Sequence, residues 1–219
     1  MNGIAQDAPM IIEERSIVDL SEYPVYSYLV DTVEGDAQWK PEFEYLEEVN
    51  MFALTYLSDG LKVRGFVVEP TGDGPFPCII LNRGGNKELG AWNVGGIAMF
   101  VAKFAAAGYV VVAPQYRGNG GGEGIEEFGD SDVNDVVVLP KVLAELPKAD
   151  TSRIGMFGWS RGGMMSYIAL RQINGIKAAV VGGAVSDLGT MVDDRPEMEE
   201  VCMELIPGFT EAKPQKLEE

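Results

Sequence analysis

The pattern of apolar and polar positions changes at about residue 49. Residues 1–48 are acidic and mixed, with short apolar pairs separated by charged residues, and Pro24 and Pro41 interrupt regular structure there. This pattern predicts an N-terminal extension (1–48) of short helices packed on a domain of residues 49–219, with a flexible tail before about residue 10. From residue 49 onward, apolar runs of strand length alternate with segments of helical periodicity.

Six strands are predicted in this second part. The first two flank Ser58-Asp59-Gly60, a turn signal that favours an antiparallel hairpin. The later strands lack polar alternation, which is typical of parallel strands buried on both faces. The strands are 49–56, 61–68, 78–81, 109–113, 153–157 and 178–181, with helices over 95–107, 131–146, 161–172 and 196–205. The alternation predicts a doubly wound, mostly parallel α/β sheet with helices on both faces, which stops after the sixth strand.

A serine lies where one of these strands passes into a helix. The segment Gly158-Trp159-Ser160-Arg161-Gly162 directly follows the strand at 153–157 and precedes the helix at 161–172. A sharp strand-to-helix turn forces the serine into a strained conformation, and flanking glycines let the neighbouring backbones pass closely. The G-x-S-x-G pattern also arises by chance in glycine-rich chains, but this context favours a nucleophile at Ser160.

Composition narrows the classes of function. The chain has 17 Lys+Arg against 34 Asp+Glu and a formal net charge of −17, so its surface repels nucleic-acid phosphates and anionic lipid. We therefore expect no nucleic-acid and no membrane partner, and the lack of a secretory-signal pattern favours a soluble cytoplasmic protein. Cys78 and Cys202 are expected to be free thiols. No metal-ligand spacing or nucleotide-binding motif is found, so neither a metal nor a cofactor is expected.

Four segments carry a family resemblance. In chain order they are Asn82-Arg83-Gly84-Gly85, Tyr116-Arg117-Gly118, Arg153-Ile154-Gly155 and Gly158-Trp159-Ser160-Arg161-Gly162-Gly163. Together they resemble the α/β-hydrolase fold, and within it the prolyl oligopeptidase family of serine peptidases with its acylaminoacyl- and dipeptidyl-peptidase relatives. The resemblance covers about residues 49–190, with Gln115 in place of the asparagine of the family's N-Y-R-G loop. It implies a peptide or small ester substrate and an acyl-enzyme on Ser160.

The resemblance also implies an oxyanion hole. The backbone N–H of Arg161, the residue after the nucleophile, and a donor from the loop around Arg83 and Gly84 would hold the oxyanion. A simple tight turn is the alternative interpretation of the glycines in that loop.

Other residues near the expected site are Tyr116, Arg117 and Trp159, which we predict to bind substrate. Arginines at this site would either orient a carboxylate of the substrate or pair with nearby acidic residues of the protein. The acidic residues Asp132 and Asp135 are expected to cap their helix or to face solvent.

The chain departs from the family pattern in its general base. The triad order in this fold is Ser, Asp, His, yet the 219 residues contain no histidine. Asp187, shortly after the strand at 178–181, would imitate the triad acid of some hydrolases, but we interpret it as a turn or cap residue. Without a base, this chain alone is expected to be nearly inactive.

Three explanations of the missing base remain open. The chain is the N-terminal portion of a hydrolase whose acid and histidine are lost or lie on a separate fragment, which we favour because the missing part is one contiguous block. Alternatively, two copies associate through an unpaired edge at 178–181, or the scaffold serves only for binding. The leading prediction is a serine hydrolase of the prolyl oligopeptidase type; a carboxylesterase and a catalytically inactive binding module are the alternatives.

Overall fold

One mixed sheet of seven strands organises the protein, which is described for residues 10–213 in a computed structural model. The predicted N-terminal tail lies outside the described residues. The strands are β1 (Ile12–Ile17), β2 (Val30–Val33), β3 (Asp36–Trp39), β4 (Val49–Ser58), β5 (Leu61–Pro70), β6 (Phe76–Asn82), β7 (Val110–Pro114), β8 (Ala149–Trp159) and β9 (Ile176–Gly182). The order in the large sheet is β1-β4-β5-β7-β6-β8-β9, and β2 pairs with β3 in a separate two-stranded sheet.

The sheet has an antiparallel half and a parallel half. Strands β7, β6, β8 and β9 are parallel neighbours, whereas β1, β4 and β5 are antiparallel to theirs, including β5 against β7. The predicted hairpin is present, because β4 and β5 pair over their whole length and turn at Asp59 and Gly60, both with positive φ. The predicted α/β sheet with an N-terminal hairpin is confirmed.

Helices cover both faces of this sheet. They are α1 (Tyr26–Leu29), α2 (Val94–Gly96), α3 (Ala102–Ala106), α4 (Asn134–Val137), α5 (Leu139–Ala144), α6 (Arg161–Leu170), α7 (Leu188–Asp194) and α8 (Glu197–Leu205), with a π-helical turn at Ile97–Val101 between α2 and α3. Alternate residues of β7 enter two different hydrophobic clusters: Val110 and Val112 pack with residues of α4–α8, whereas Val111 and Ala113 pack with α3 and the N-terminal region. Since successive strand residues point to opposite faces, these clusters are the two sides of the sheet.

The prediction of only short helices in the N-terminal extension is wrong, because the extension also contains strands. Residues 30–33 and 36–39 form the separate sheet of β2 and β3. Residues 12–17 form the edge strand β1, which pairs antiparallel with β4 and makes the large sheet seven-stranded. The Glu145 carboxylate accepts hydrogen bonds from the N–H groups of Ile11 and Ile12 at 2.6 and 2.9 Å, which fastens the start of the strand. Most β1 side chains are exposed, so the strand lacks the apolar pattern that identifies a buried one.

Both cysteines are buried free thiols, as predicted. Burial raises the pKa of the Cys78 thiol to about 11. Because the thiolate is the reactive form, we expect both thiols of the native protein to react with Ellman's reagent at pH 8 far more slowly than after unfolding in guanidinium chloride. Fast stoichiometric reaction without denaturant would contradict the burial of these residues.

No helix within residues 10–213 is long and apolar enough to cross a membrane.

Candidate active site

Ser160 occupies a sharp turn between the end of β8 and the start of α6. Its φ of 54° and ψ of −123° lie in a region that residues with a side chain seldom adopt. The Ser160 N–H donates to the Gly182 carbonyl at 2.8 Å, and the Ser160 carbonyl accepts from the Gly163 N–H at 2.9 Å, so hydrogen bonds on both sides hold the strained backbone. The side chain is half-buried, and its Oγ has no hydrogen-bond partner within residues 10–213.

Two glycines make this turn possible. A Cβ at Gly158 would lie 2.2 Å from the Gly162 carbonyl oxygen, and a Cβ at Gly162 would lie 2.1 Å from the Asn82 carbonyl oxygen. Both distances are far inside van der Waals contact, so α6 approaches β8 and β6 too closely for any side chain at either position. The close passage of backbones predicted for these glycines is present.

The loop that follows β6 runs beside Ser160. A Cβ at Gly84 would lie 3.2 Å from the Ser160 Cβ, which places this backbone against the serine. Within the described residues, the N–H groups of Gly84 and Gly85 donate no hydrogen bond. Arg161 is the first residue of α6, where a backbone N–H has no intrahelical acceptor. Backbone donors on two segments therefore flank the serine.

The guanidinium of Arg83 forms the interior of this loop. It donates hydrogen bonds at 3.0–3.2 Å to four backbone carbonyls: those of Gly84, Lys87, Leu89 and Gln115. Its side chain is almost fully buried. Arg83 thus shapes the loop that carries Gly84, and backbone carbonyls occupy its guanidinium.

Tyr116 lies between two buried arginines. The guanidinium carbons of Arg83 and Arg161 are 5.2 and 5.1 Å from the centre of its ring, a distance typical of cation–π contacts. Its hydroxyl donates to the Arg83 carbonyl at 3.0 Å, and burial raises the pKa of this hydroxyl. Because the side chain is fully buried, the structure does not support the predicted contact of Tyr116 with substrate.

Two acidic residues neutralise these arginines. Glu126 pairs with Arg161 at 2.6 Å and with Arg83 at 3.9 Å, and Asp132 pairs with Arg161 at 2.5 Å. The Asp132 carboxylate also accepts from the N–H groups of Glu127 and Gly129 at 3.0 and 2.9 Å. The role of Glu126 is not predictable from the sequence, because one acidic residue in so acidic a chain carries no signal of burial.

Arg117 belongs to a second buried pair. Its guanidinium binds Asp135 at 2.8 Å, Asp59 at 2.8 Å and the Ser131 hydroxyl at 2.9 Å. These contacts occupy the guanidinium, so the structure does not support substrate binding by Arg117. The expectation that Asp132 and Asp135 cap their helix or face solvent is wrong. Both are fully buried and neither caps its helix, because a buried arginine requires a carboxylate beside it.

Trp159 is the predicted substrate-binding residue that remains accessible, with 61% of its surface exposed. It borders a cleft of about 480 Å³ whose walls are mostly apolar, lined by Leu81, Gly84, Gly90, Trp92, Phe100 and Phe157 among others. Gln115, which stands in place of the family's asparagine, fixes one wall: its side-chain amide accepts from the Trp92 N–H at 2.9 Å and donates to the Trp92 carbonyl at 2.6 Å. The cleft lies beside Ser160, because two of the residues that line it, Gly84 and Trp159, are neighbours of the serine.

Asp187 caps α7, as interpreted from the sequence. Its carboxylate accepts a hydrogen bond from the Thr190 N–H at 2.6 Å, and the hydrogen bonds it accepts hold the pKa of this exposed carboxyl below its usual value. Within the described residues, it has no hydrogen bond to Ser160.

Comparison with known proteins gives one family. The family model described as "Prolyl oligopeptidase family" matches residues 98–211, which include the Ser160 turn. The chain is 34% identical over 171 residues to the uncharacterized peptidase YtmA of Bacillus subtilis (strain 168), covering 78% of this chain and 65% of that protein. It is 30% identical over 142 residues to the uncharacterized peptidase YuxL of the same organism, covering 59% of this chain and 21% of that protein. The chain thus spans less than two thirds of either relative.

Solved structures share the fold. An acetyl xylan esterase from Paenibacillus sp. R4 superposes with a TM-score of 0.63 at 17% identity, covering 94% of this chain and 64% of the esterase. The acylaminoacyl peptidase of Pyrococcus horikoshii superposes with a TM-score of 0.56 at 24% identity, covering 74% of this chain and 28% of the peptidase. Because the family match covers more than half of the chain and includes the strained serine, the chain belongs to the prolyl oligopeptidase family.

Proposed function

We propose that this chain is the nucleophile-bearing part of a serine hydrolase that cleaves peptide or ester bonds through an acyl-enzyme on Ser160. One observation carries the proposal: Ser160 lies at positive φ on a strand-to-helix turn, beside a loop whose Gly84 and Gly85 N–H groups donate no hydrogen bond within residues 10–213. A nucleophile elbow has a serine on a turn of this kind, which supports the proposal. Membership of a peptidase family supports the same chemistry.

The proposed mechanism assigns a step to each of these groups. The Ser160 Oγ attacks the carbonyl carbon of the substrate while a base removes its proton, and the N–H groups of Arg161 and Gly84 hold the resulting oxyanion. The N-terminal end of α6 adds its positive partial charge. The tetrahedral intermediate collapses as the C–N or C–O bond breaks, and the conjugate acid of the base gives the serine proton to the leaving nitrogen or oxygen, which departs as a neutral amine or alcohol. Water then hydrolyses the acyl-enzyme.

The base in this mechanism comes from outside the 219 residues, since they contain no histidine. We propose that a second chain, a separate fragment or a second copy of this chain completes the site. The strand at the end of the sheet supports this proposal. Strand β9 lies at the end of the sheet, and Val180 on it is 60% exposed. An exposed apolar edge strand is a surface on which another polypeptide pairs.

The apolar cleft beside Trp159 favours a substrate that places an uncharged apolar or aromatic group there. Its walls are aromatic, and the arginines near the serine are occupied by carboxylates of the protein. Both a peptidase and a carboxylesterase meet this description, and the acetyl xylan esterase that shares the fold supports the second. Hydrolysis of p-nitrophenyl esters compared with aminoacyl p-nitroanilides separates the two.

We also propose that the protein acts in the cytoplasm. Its two buried thiols are unpaired, which fits a reducing compartment.

A fluorophosphonate probe tests the proposed nucleophile. In the presence of added imidazole as a substitute base, we expect stoichiometric labelling of Ser160, located by peptide mass spectrometry, and much slower labelling without imidazole. The Ser160→Ala variant is expected to remain unlabelled under both conditions. A wild-type chain that is not labelled with imidazole, or that is labelled elsewhere, would reject the catalytic role and favour a binding module.

A further inference from the structure

We infer that Glu126 is a positioning residue that fixes the separation of the two proposed oxyanion donors. The inference rests on the proposed function, because an oxyanion hole is needed only if Ser160 forms a tetrahedral intermediate. The two donors, the N–H groups of Arg161 and Gly84, lie on different segments: the start of α6 and the loop after β6. An oxyanion hole lowers the barrier only when its donors are held in place before the reaction.

The two carboxylate oxygens of Glu126 join these segments directly. Oε1 accepts a hydrogen bond from the Lys87 N–H at 2.5 Å, three residues beyond Gly84 in the same loop. Oε2 accepts from Nη1 of Arg161 at 2.6 Å, the residue that supplies the other donor. One side chain therefore joins the segments that carry the two proposed donors through two short hydrogen bonds.

Further contacts restrict the position of the Glu126 carboxylate. Oε2 also accepts from Nδ2 of Asn119 at 3.0 Å, and Nη2 of Arg83 lies 3.9 Å away. The side chain is only 4% exposed, so water does not compete for these bonds. Hydrogen bonds to an ionised group in a buried setting are among the strongest in proteins.

The same bonds orient the loop backbone. Nη1 of Arg161 donates to the Gly85 carbonyl at 3.2 Å as well as to Glu126, so this guanidinium contacts the loop both directly and through the carboxylate. Lys87, which Glu126 binds, has a φ of 51°, a conformation that a lysine adopts only when its surroundings impose it. Loss of the Glu126 carboxylate would release this strain by moving the loop away from Ser160.

Asp135 provides the matched control for Glu126. It too is a buried carboxylate bound to an arginine, Arg117, but it contacts neither the loop after β6 nor Arg161. A general loss of stability would therefore follow replacement of either acid, whereas displacement of the oxyanion donors would follow replacement of Glu126 alone.

The experiment compares Glu126→Gln with Asp135→Asn in the full chain. Glu126 accepts from the Lys87 N–H through one oxygen and from Arg161 through the other, whereas a glutamine has one acceptor oxygen. We therefore expect amide exchange at Lys87, whose N–H loses its carboxylate acceptor, to rise about tenfold. We also expect imidazole-assisted fluorophosphonate labelling of Ser160 to slow by about 10²-fold, the usual effect of losing one oxyanion donor. The ³¹P chemical shift of the phosphonylated serine should change, since it reports the hydrogen bonds to the phosphonyl oxygen. Asp135→Asn should leave all three measurements near the wild-type values.

Glu126→Asp is the second variant, which keeps the buried charge and hence the fold. Its shorter side chain cannot reach both segments, so we expect faster loop exchange here too. Equal effects of Glu126→Gln and Asp135→Asn would overturn the inference, as would an unchanged ³¹P shift in a variant whose loop exchanges faster. If Ser160 of the wild-type chain is not labelled at all, both the proposed function and this inference are wrong. This outcome differs from failure of the inference alone, in which the wild-type chain is labelled and Glu126→Gln behaves like Asp135→Asn.

Discussion

Replacement of Gly158 by alanine is expected to cost more than about 4 kcal/mol in the free energy of unfolding, enough to leave much of the chain unfolded. The added Cβ would lie 2.2 Å from the Gly162 carbonyl oxygen and 2.4 Å from the Ser166 Oγ. The buried Ser166 hydroxyl accepts from Nδ2 of Asn82 at 2.9 Å and donates to the Gly162 carbonyl at 2.7 Å, so its displacement would break two hydrogen bonds. The carbonyl belongs to the first turn of α6 and moves only with the helix. Displacement of that helix would also move the Asn82 backbone, against which Gly162 packs.

Gly155→Ala is the matched control, because Gly155 lies in the same strand, β8. The nearest atoms to its added Cβ are the carbonyl oxygens of Ala178 and Cys78, at 3.6 and 3.8 Å, which is ordinary contact. We expect a change of less than about 1 kcal/mol. Urea unfolding followed by circular dichroism measures both variants. Similar midpoints for the two would show that β8 tolerates Cβ atoms generally and that the close approach at Gly158 is not a constraint.

Asp132→Ala is expected to cost about 3–5 kcal/mol, the usual effect of removing one partner of a buried ion pair. The fully buried Asp132 carboxylate accepts from Nη2 of Arg161 at 2.5 Å and from two backbone N–H groups. Without it, the Arg161 guanidinium keeps Glu126 as its carboxylate partner and loses half of its compensating charge. The two N–H groups would also be left without their acceptor in the interior.

Asp187→Ala is the matched control for Asp132→Ala, because it removes the carboxylate of an exposed aspartate rather than a buried one. Asp187 caps α7 through the Thr190 N–H, and water can replace the lost acceptor. Its replacement should therefore destabilise the protein distinctly less than that of Asp132, again measured by urea unfolding. A comparable loss for both variants would mean that solvent reaches the Arg161–Asp132 pair and screens it.

The elements that the sequence predicts well are those whose pattern is local. The hairpin follows from two apolar strands around Asp59-Gly60, and the Ser160 turn follows from a strand, a G-x-S-x-G segment and a helix in immediate succession. These features need no knowledge of distant residues. The predicted strands differ from the observed ones at their ends: β8, for instance, begins at Ala149 rather than Arg153. The predicted helices 95–107 and 131–146 are each divided into shorter helical segments.

The features that sequence analysis missed depend on partners far along the chain. Three of the six residues of β1 are charged and most are exposed, and it becomes a strand only because the edge of β4 is available to it. Aspartate side chains such as those of Asp132 and Asp135 normally face solvent. Their burial is favourable here because each forms an ion pair with an arginine distant in sequence, Arg161 and Arg117 respectively. The same holds for Glu126 in the candidate site: its partners lie on three segments that the fold alone brings together.

The dependence on distant partners also determines the order in which parts of the protein fold. The β4–β5 hairpin closes a short loop, so it is the part of the sheet that can form early, whereas parallel strands such as β6 and β8 must find each other across a long stretch of chain. The Ser160 backbone is held by Gly182 of β9 and packed through Gly162 against Asn82 of β6. The strained serine can therefore form only after the parallel half of the sheet is complete, and an early folding intermediate would contain the hairpin but no nucleophile.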